Sequence, residues 1–180
     1  MDLSTKRLVL REMTWDDVDL IHELHSMKEV DEFSTIGIPR HTGDTLAVLL
    51  AAIEDPGAVV RMHFGWTIWC TATREFIGEA GLDLSADRFR SGELFYSLSP
   101  AHWGKGYGTE IVKRLITFGF ADLQLHRIQA GVATDNLRSV KVLEKAGMTC
   151  EGIRRKALPI RGEWKDNFHY AIVEDDPFTP

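Results

Sequence analysis

The chain has 180 residues, 44% of them hydrophobic, and a formal net charge of −6. That length carries one domain with a full core, expected over residues 1–180, and the acidic balance excludes a phosphate-backbone partner, which calls for a basic face. No apolar run reaches the roughly 20 residues of a membrane span, the N-terminal residues lack the apolar core of a secretion signal, and two cysteines, Cys70 and Cys150, are too few for a disulfide framework. The expectation is a cytoplasmic protein with no nucleic-acid and no membrane partner, as a monomer or homodimer.

In chain order, residues 5–13 alternate as a first strand. Thr14, with Asp17 three residues later, forms a capping-box signal that opens a helix to about His25, with Trp15, Val18, Ile21 and Leu24 as its buried stripe. Residues 26–42, with Gly37 and Pro39, read as loop. Thr42 or Asp44 then caps a second helix that closes at Asp55-Pro56-Gly57. Three strands follow at about 61–70, 75–84 and 92–98, separated by turn signals. A wide apolar face on Ile111, Val112, Leu115, Ile116 and Phe118 marks a helix over about 105–122. A β-branched run at 127–132 is a strand. Leu137, Val140 and Leu143 mark a short helix capped by Thr134 or Asp135 and ended by Gly147. Strands at 148–154 and 164–173 close the chain.

The most telling segment joins the strand at 93–98 to the helix after it: Trp103-Gly104-Lys105-Gly106-Tyr107-Gly108-Thr109-Glu110. Alternate glycines let backbone N–H groups turn toward one point, and the helix N-terminus adds free N–H groups and partial positive charge. This is a cradle for a phosphate-bearing ligand. The nucleotide-hydrolase loop G-x-x-x-x-G-K-[ST] is absent because Lys105 lies between the glycines. The dinucleotide pattern G-x-G-x-x-G fails because Thr109 stands where its third glycine belongs.

The x-x-x-Gly-x-Gly ending at Gly108 resembles the pyrophosphate loop of the GNAT superfamily of acetyltransferases, with Trp103 where that loop usually begins with Gln or Arg. Asn136-Leu137-Arg138-Ser139 followed by Leu143-Glu144-Lys145-Ala146-Gly147 resembles the second hallmark of the superfamily. Thr5-Lys6-Arg7-Leu8-Val9-Leu10-Arg11 and Gly162-Glu163-Trp164-Lys165-Asp166 resemble the opening and closing of its ribosomal-protein (alanine/serine) N-terminal acetyltransferase branch. The resemblance spans about residues 4 to 174. It implies an α/β fold, a mixed and mostly antiparallel sheet of about seven strands flanked by about four helices, with two strands splayed to make a cofactor cleft.

It also implies acetyl-CoA as donor substrate. The N–H groups of Trp103, Gly104, Lys105, Gly106, Tyr107, Gly108 and Thr109 would hold the pyrophosphate, and Leu98 would meet the pantetheine arm. Transfer to an amine needs a proton acceptor, stabilisation of the tetrahedral oxyanion and a place for the thiolate. By resemblance Glu93 is the first candidate base and Glu79 the second; Ser139 serves the thiolate, and Asn136 orients pantetheine or a water. The acceptor is read as a primary amine, with a protein or peptide N-terminus first and a small amine (polyamine, amino sugar or amino acid) second. A non-catalytic acyl-CoA-binding protein is the reading from another class. His22 and His25, one turn apart with no third ligand, do not make a metal site, and nor does any other group in the chain.

Overall fold

The computed structural model describes residues 1–54 and 60–180. The expected stop of the second helix at Asp55-Pro56-Gly57 lies outside the described residues. Eight strands form one sheet in the order β1-β2-β3-β4-β5-β6-β8-β7. These are β1 (Leu3–Ser4), β2 (Leu8–Glu12), β3 (His63–Cys70), β4 (Phe76–Leu84), β5 (Ser91–Leu98), β6 (Arg127–Ala133), β7 (Thr149–Ile160) and β8 (Glu163–Val173). Every neighbouring pair is antiparallel except β5 and β6, which are parallel. Five helices are described: α1 (Val18–His25), α2 (Lys28–Asp31), α3 (Thr42–Glu54), α4 (Tyr107–Ala121) and α5 (Leu137–Lys145).

The α/β class and the mixed sheet agree with the sequence reading; the counts differ for local reasons. The opening strand is two pieces, because Thr5 turns the chain with its backbone N–H on Leu8 O at 2.9 Å. The segment 26–42 holds the single-turn helix α2. β7 runs to Ile160, past the expected Arg154, because a register shift between Arg154 and Leu158 lets it resume pairing with β8.

Helix ends follow their caps. The Thr14–Asp17 box is formed, with the Thr14 N–H donating to Asp17 Oδ2 at 2.9 Å. It opens a 3-10 turn at Trp15–Asp17 before α1, so Trp15 is turned off the helical stripe and is 53% exposed, not buried. At the end of α5, Gly147 takes φ +92° and donates to Glu144 O, while Met148 donates to Leu143 O. This is the Schellman arrangement. The N-cap of α5 is Asn136, not Thr134 or Asp135.

Both faces of β3 and β4 are covered, which is why their residues are buried almost without alternation. On one face α4 packs Phe118 edge-on against Trp66, ring centroids 5.4 Å apart, within a core that includes Leu8, Ile68, Leu82, Ile111 and Leu115. On the other, Met13, Ile21, Leu49 and Ile53 form a smaller core under α1 and α3. A Cβ on Gly65 would stand 2.8 Å from Ala52 Cβ, so glycine is what lets α3 come down onto β3. Among the described residues no helix is long and apolar enough to cross a membrane.

Candidate active site

β5 and β6 pair only at Ser91–Arg127, Gly92–Ile128 and Glu93–Gln129. Beyond this they part, so β5 from Phe95 to Leu98 is paired with β4 alone among the described strands. Strand backbone groups alternate sides. The Ser99 N–H donates to Ile77 O of the β4 side, so the Leu94 carbonyl and the backbone groups of Tyr96 and Leu98 face the opening toward β6. This open edge lines a cleft of about 700 Å³ that is also bordered by the glycine loop, the first turn of α5, α2 and Glu79 of β4.

At one end of the cleft, Gly104 and Gly106 hold φ of +74° and +80°, a conformation that favours glycine. The Trp103 N–H is spent on Pro100 O and the Glu110 N–H on Gly106 O. The N–H groups of residues 104–109 between them take no partner among the described residues. Trp103 therefore differs from the other expected cradle positions: its backbone N–H is used. Its indole Nε1 donates to Leu98 O at 2.8 Å, and the Arg138 guanidinium lies 4.2 Å over its ring. Of the backbone groups of Leu98, the residue expected to meet pantetheine, the carbonyl thus accepts from Trp103. The N–H of Leu98 and both backbone groups of Tyr96 remain on the open edge.

The opening motif braces this loop. Arg7 Nε donates to Glu110 Oε2 at 2.7 Å, Arg7 Nη1 donates to Lys105 O at 2.9 Å, and the guanidinium stacks 4.6 Å over Tyr107. Glu110 puts a carboxylate in the first turn of α4. Burial alone would raise its pKa, but bonds from Thr5 and Arg7 hold it below the usual range. Arg7→Ala is expected to leave the fold intact and raise the acetyl-CoA dissociation constant about tenfold, the loss of one charged hydrogen bond's worth of positioning. Calorimetry measures it, and unchanged affinity would show that the loop holds its shape unaided.

Along the cleft, Asn136 Oδ1 accepts the Ser139 N–H at 3.2 Å. The Asn-x-x-Ser pattern is therefore an N-cap, and it fixes the turn that presents Ser139. The Tyr96 hydroxyl donates to Ser139 Oγ at 3.2 Å. Tyr96 is a site residue that sequence reasoning missed; its even spacing from Leu98 was the available signal. Burial pushes its phenol up to about 12, against a lowering by the Ser139 bond, so it stays a neutral donor. Gly108 lets the start of α4 meet this pair, since a Cβ there would stand 3.2 Å from Val142 and 3.4 Å from the Tyr96 ring.

The two candidate bases lie on the opposite sheet face from Tyr96, but in different settings. Glu93 is exposed, sits at the vertex where β5 leaves β6, and accepts from Gln129 Nε2 at 3.2 Å. It stands directly opposite Asp83 of β4. Glu79 is opposite Ser97, is 4% exposed, and is bonded through Oε1 to His25 Nε2 of α1. Its Oε2 and the His25 Nδ1 are buried without a partner. His25, set aside on the sequence, is therefore a cleft residue. Charge is divided along the cleft: Lys141, Lys145 and Arg138 on the α5 side, Glu29, Glu79, Asp83 and Glu93 on the other. No cluster of metal-ligating side chains occurs among the described residues.

A family model described as an acetyltransferase (GNAT) domain matches residues 7–149. The chain belongs to the GNAT acetyltransferase family. It is an N-acetyltransferase. It is 31% identical over 174 residues to the uncharacterized N-acetyltransferase YoaA of Bacillus subtilis, with 96% of each chain covered. To the ribosomal protein uS5-alanine N-acetyltransferase of Escherichia coli it is 31% identical over 108 residues, 59% of this chain and 55% of that one. A solved structure of spermidine N-acetyltransferase from Vibrio cholerae, in complex with CoA and spermine, shares the GNAT fold with a TM-score of 0.83 at 22% identity, covering 96% of this chain and 98% of that one.

Proposed function

We propose that this GNAT protein transfers the acetyl group of acetyl-CoA directly to a primary amine that enters as a cation. The observation that carries the reading is the unpaired edge of β5, running from the free N–H groups of residues 104–109 to the vertex at Glu93. A donor whose pyrophosphate sits on those N–H groups can lay an extended arm along Leu98, Tyr96 and Leu94 as an added strand, with Lys141 and Lys145 near its phosphates. Its thioester then lies between Ser139 and Tyr96 on one sheet face and the carboxylates on the other.

The carboxylates support a cationic acceptor. Asp83 and Glu93 are like charges directly opposite on neighbouring strands, an arrangement that costs stability. They are offset by His63 Nδ1 on Asp83 at 2.9 Å and by the neutral Gln129 amide on Glu93. We assign Glu93 to attracting the acceptor's charge and not to removing its proton. Asp83→Asn combined with Glu93→Gln is expected to raise KM for a cationic amine about tenfold with kcat and acetyl-CoA affinity unchanged. A kcat loss of about 100-fold in Glu93→Gln alone, recovered at high pH, would return Glu93 to the role of base.

A peptide N-terminus and a small polyvalent amine both meet this description. Arg7 of the opening motif braces the loop, and Asp166 of the closing motif accepts the Lys156 N–H at 2.8 Å. Both motifs thus have structural work that is independent of the acceptor. An α-amine, with a pKa of about 8, offers more neutral amine near pH 7 than a lysine-like amine does. Peptides with free and blocked N-termini, in competition with spermidine, amino sugars and amino acids, decide between them. CoA release with small amines alone ends the peptide reading. A protein that binds acetyl-CoA and releases no CoA with any amine ends the transfer reading.

A further inference from the structure

The cleft holds a buried pair that the transfer reaction has so far left idle. His25 closes α1 and Glu79 lies in the middle of β4; both are under one-tenth exposed. Nε2 of the ring meets Oε1 of the carboxylate. The remaining nitrogen, Nδ1, and the remaining oxygen, Oε2, have no partner although both residues line the cleft. Buried polar atoms in native folds are almost always bonded, so two orphans at the two ends of one hydrogen-bonded pair point to something that arrives. Glu79 also stands opposite Ser97, one strand from the open edge on which Tyr96 and Leu98 present their backbone groups.

We propose that His25 is the proton acceptor for the attacking amine, with Glu79 holding its ring in the tautomer that leaves Nδ1 free. The inference rests on the acetyl-transfer reading. A carboxylate on one ring nitrogen fixes where the proton sits and stabilises the imidazolium that forms on the other. The ammonium gives one proton to Nδ1. Its freed electron pair forms the C–N bond as the C–S bond breaks and the sulfur takes the bonding pair. The second amine proton ends on the CoA thiol, and the proton on His25 passes to solvent.

Burial and Glu79 act on this ring in opposite directions. Burial opposes the imidazolium, and the bond and charge of Glu79 outweigh it, so the His25 pKa lies above its ordinary value. The elements packed against α1 carry other charges, but most are engaged elsewhere. Asp17 bonds Thr14, Asp31 pairs with Arg161, Asp44 with Arg40, and Asp83 with His63. On α1 itself, His22 Nδ1 bonds Thr45 Oγ1. Among the described residues Asp16, Asp19, Glu23, Lys28 and Glu54 make no ion pair, and Glu29 lines the cleft without one; none of them bonds His25.

Two readouts test this, one of them independent of turnover. In protein labelled at histidine, NMR titration should show His25 protonating above pH 6.5, the ordinary value, and should show that midpoint fall in Glu79→Gln. The kcat/KM profile of the wild type should carry an acid limb at the same midpoint. His25→Gln, which keeps an amide donor for Glu79, should lose that limb and about 100-fold or more in kcat. Its acetyl-CoA dissociation constant should stay within a few-fold of wild type. If His25→Gln is poorly folded, Glu79→Gln should lower kcat and move the acid limb to lower pH together with the NMR midpoint. A His25 ring that does not titrate between about pH 5 and pH 9, or variants that keep wild-type kcat and the acid limb, would overturn the assignment. If the wild type itself acetylates no amine, the transfer reading fails, and the titration alone still decides whether His25 can accept a proton.

Discussion

Gly106→Val is expected to abolish acetyl-CoA binding and leave the fold intact. Gly106 is the N-cap of α4 at φ +80°, where a non-glycine residue costs about 1–2 kcal/mol. That is a small part of the roughly 5–15 kcal/mol of a typical domain, so the protein should still fold. Among the described residues a new Cβ meets only Arg7 Nη2, at 3.5 Å. Gly106 lines the cleft, so the added side chain crowds backbone that the phosphate must approach. Calorimetry should register no heat of binding, while circular dichroism and the unfolding midpoint stay close to wild type. A dissociation constant within about threefold of wild type would show that the phosphates sit elsewhere.

Ser139→Ala is expected to lower kcat by about 100-fold with little change in acetyl-CoA affinity. Tyr96 donates its hydroxyl proton to Ser139 Oγ, which leaves the serine hydrogen free to point onward to the departing sulfur. Tyr96→Phe removes that orientation and should lower kcat by a smaller factor. Because burial sends the Tyr96 phenol up to about 12, its removal should leave the shape of the pH profile below about pH 10 unchanged. Steady-state kinetics across that range are the measurement. Wild-type kcat in Ser139→Ala would remove the α5 turn from the chemistry at the sulfur.

His25 also ties stability to pH. Its folded pKa lies above its unfolded one, so the stabilisation from the Glu79 contact is present below the unfolded value and is lost as pH rises through the folded one. His25→Gln should therefore reduce the unfolding midpoint more at pH 5.5 than at pH 9. Parallel thermal melts at the two pH values check this sign.

What the sequence disclosed follows from the range of the forces involved. The glycine loop, the Thr14–Asp17 box and the Gly147 stop are set by residues within a few positions of one another, and each is legible as a string. The apolar stripes of α4 and α5 are periodic and equally plain. Trp15 was misplaced because a 3-10 turn precedes α1 and rotates it outward, which periodicity alone does not reveal. α2 was missed because a single turn has too few residues to show a period. The site was legible where it is a motif and hidden where it is a meeting. Tyr96 and Ser139 are 43 positions apart and His25 and Glu79 are 54 apart, and only the packing of α5 and α1 on the sheet joins them. Glu93 was favoured because a local pattern surrounds it. That Glu79 is the buried, partly unsatisfied carboxylate is visible only in the fold.

The central claim is that the open edge of β5 and the glycine loop together hold the donor. Titrating acetyl-CoA into uniformly 15N-labelled protein and following the backbone amide resonances tests it most directly. The account predicts that the largest shifts fall on the N–H groups of residues 104–109 and, along the edge, on Tyr96 and Leu98, with ATP and NAD failing to reproduce the edge shifts. Shifts confined to other surfaces, or the same loop shifts with ATP and none at Tyr96 or Leu98, would contradict it.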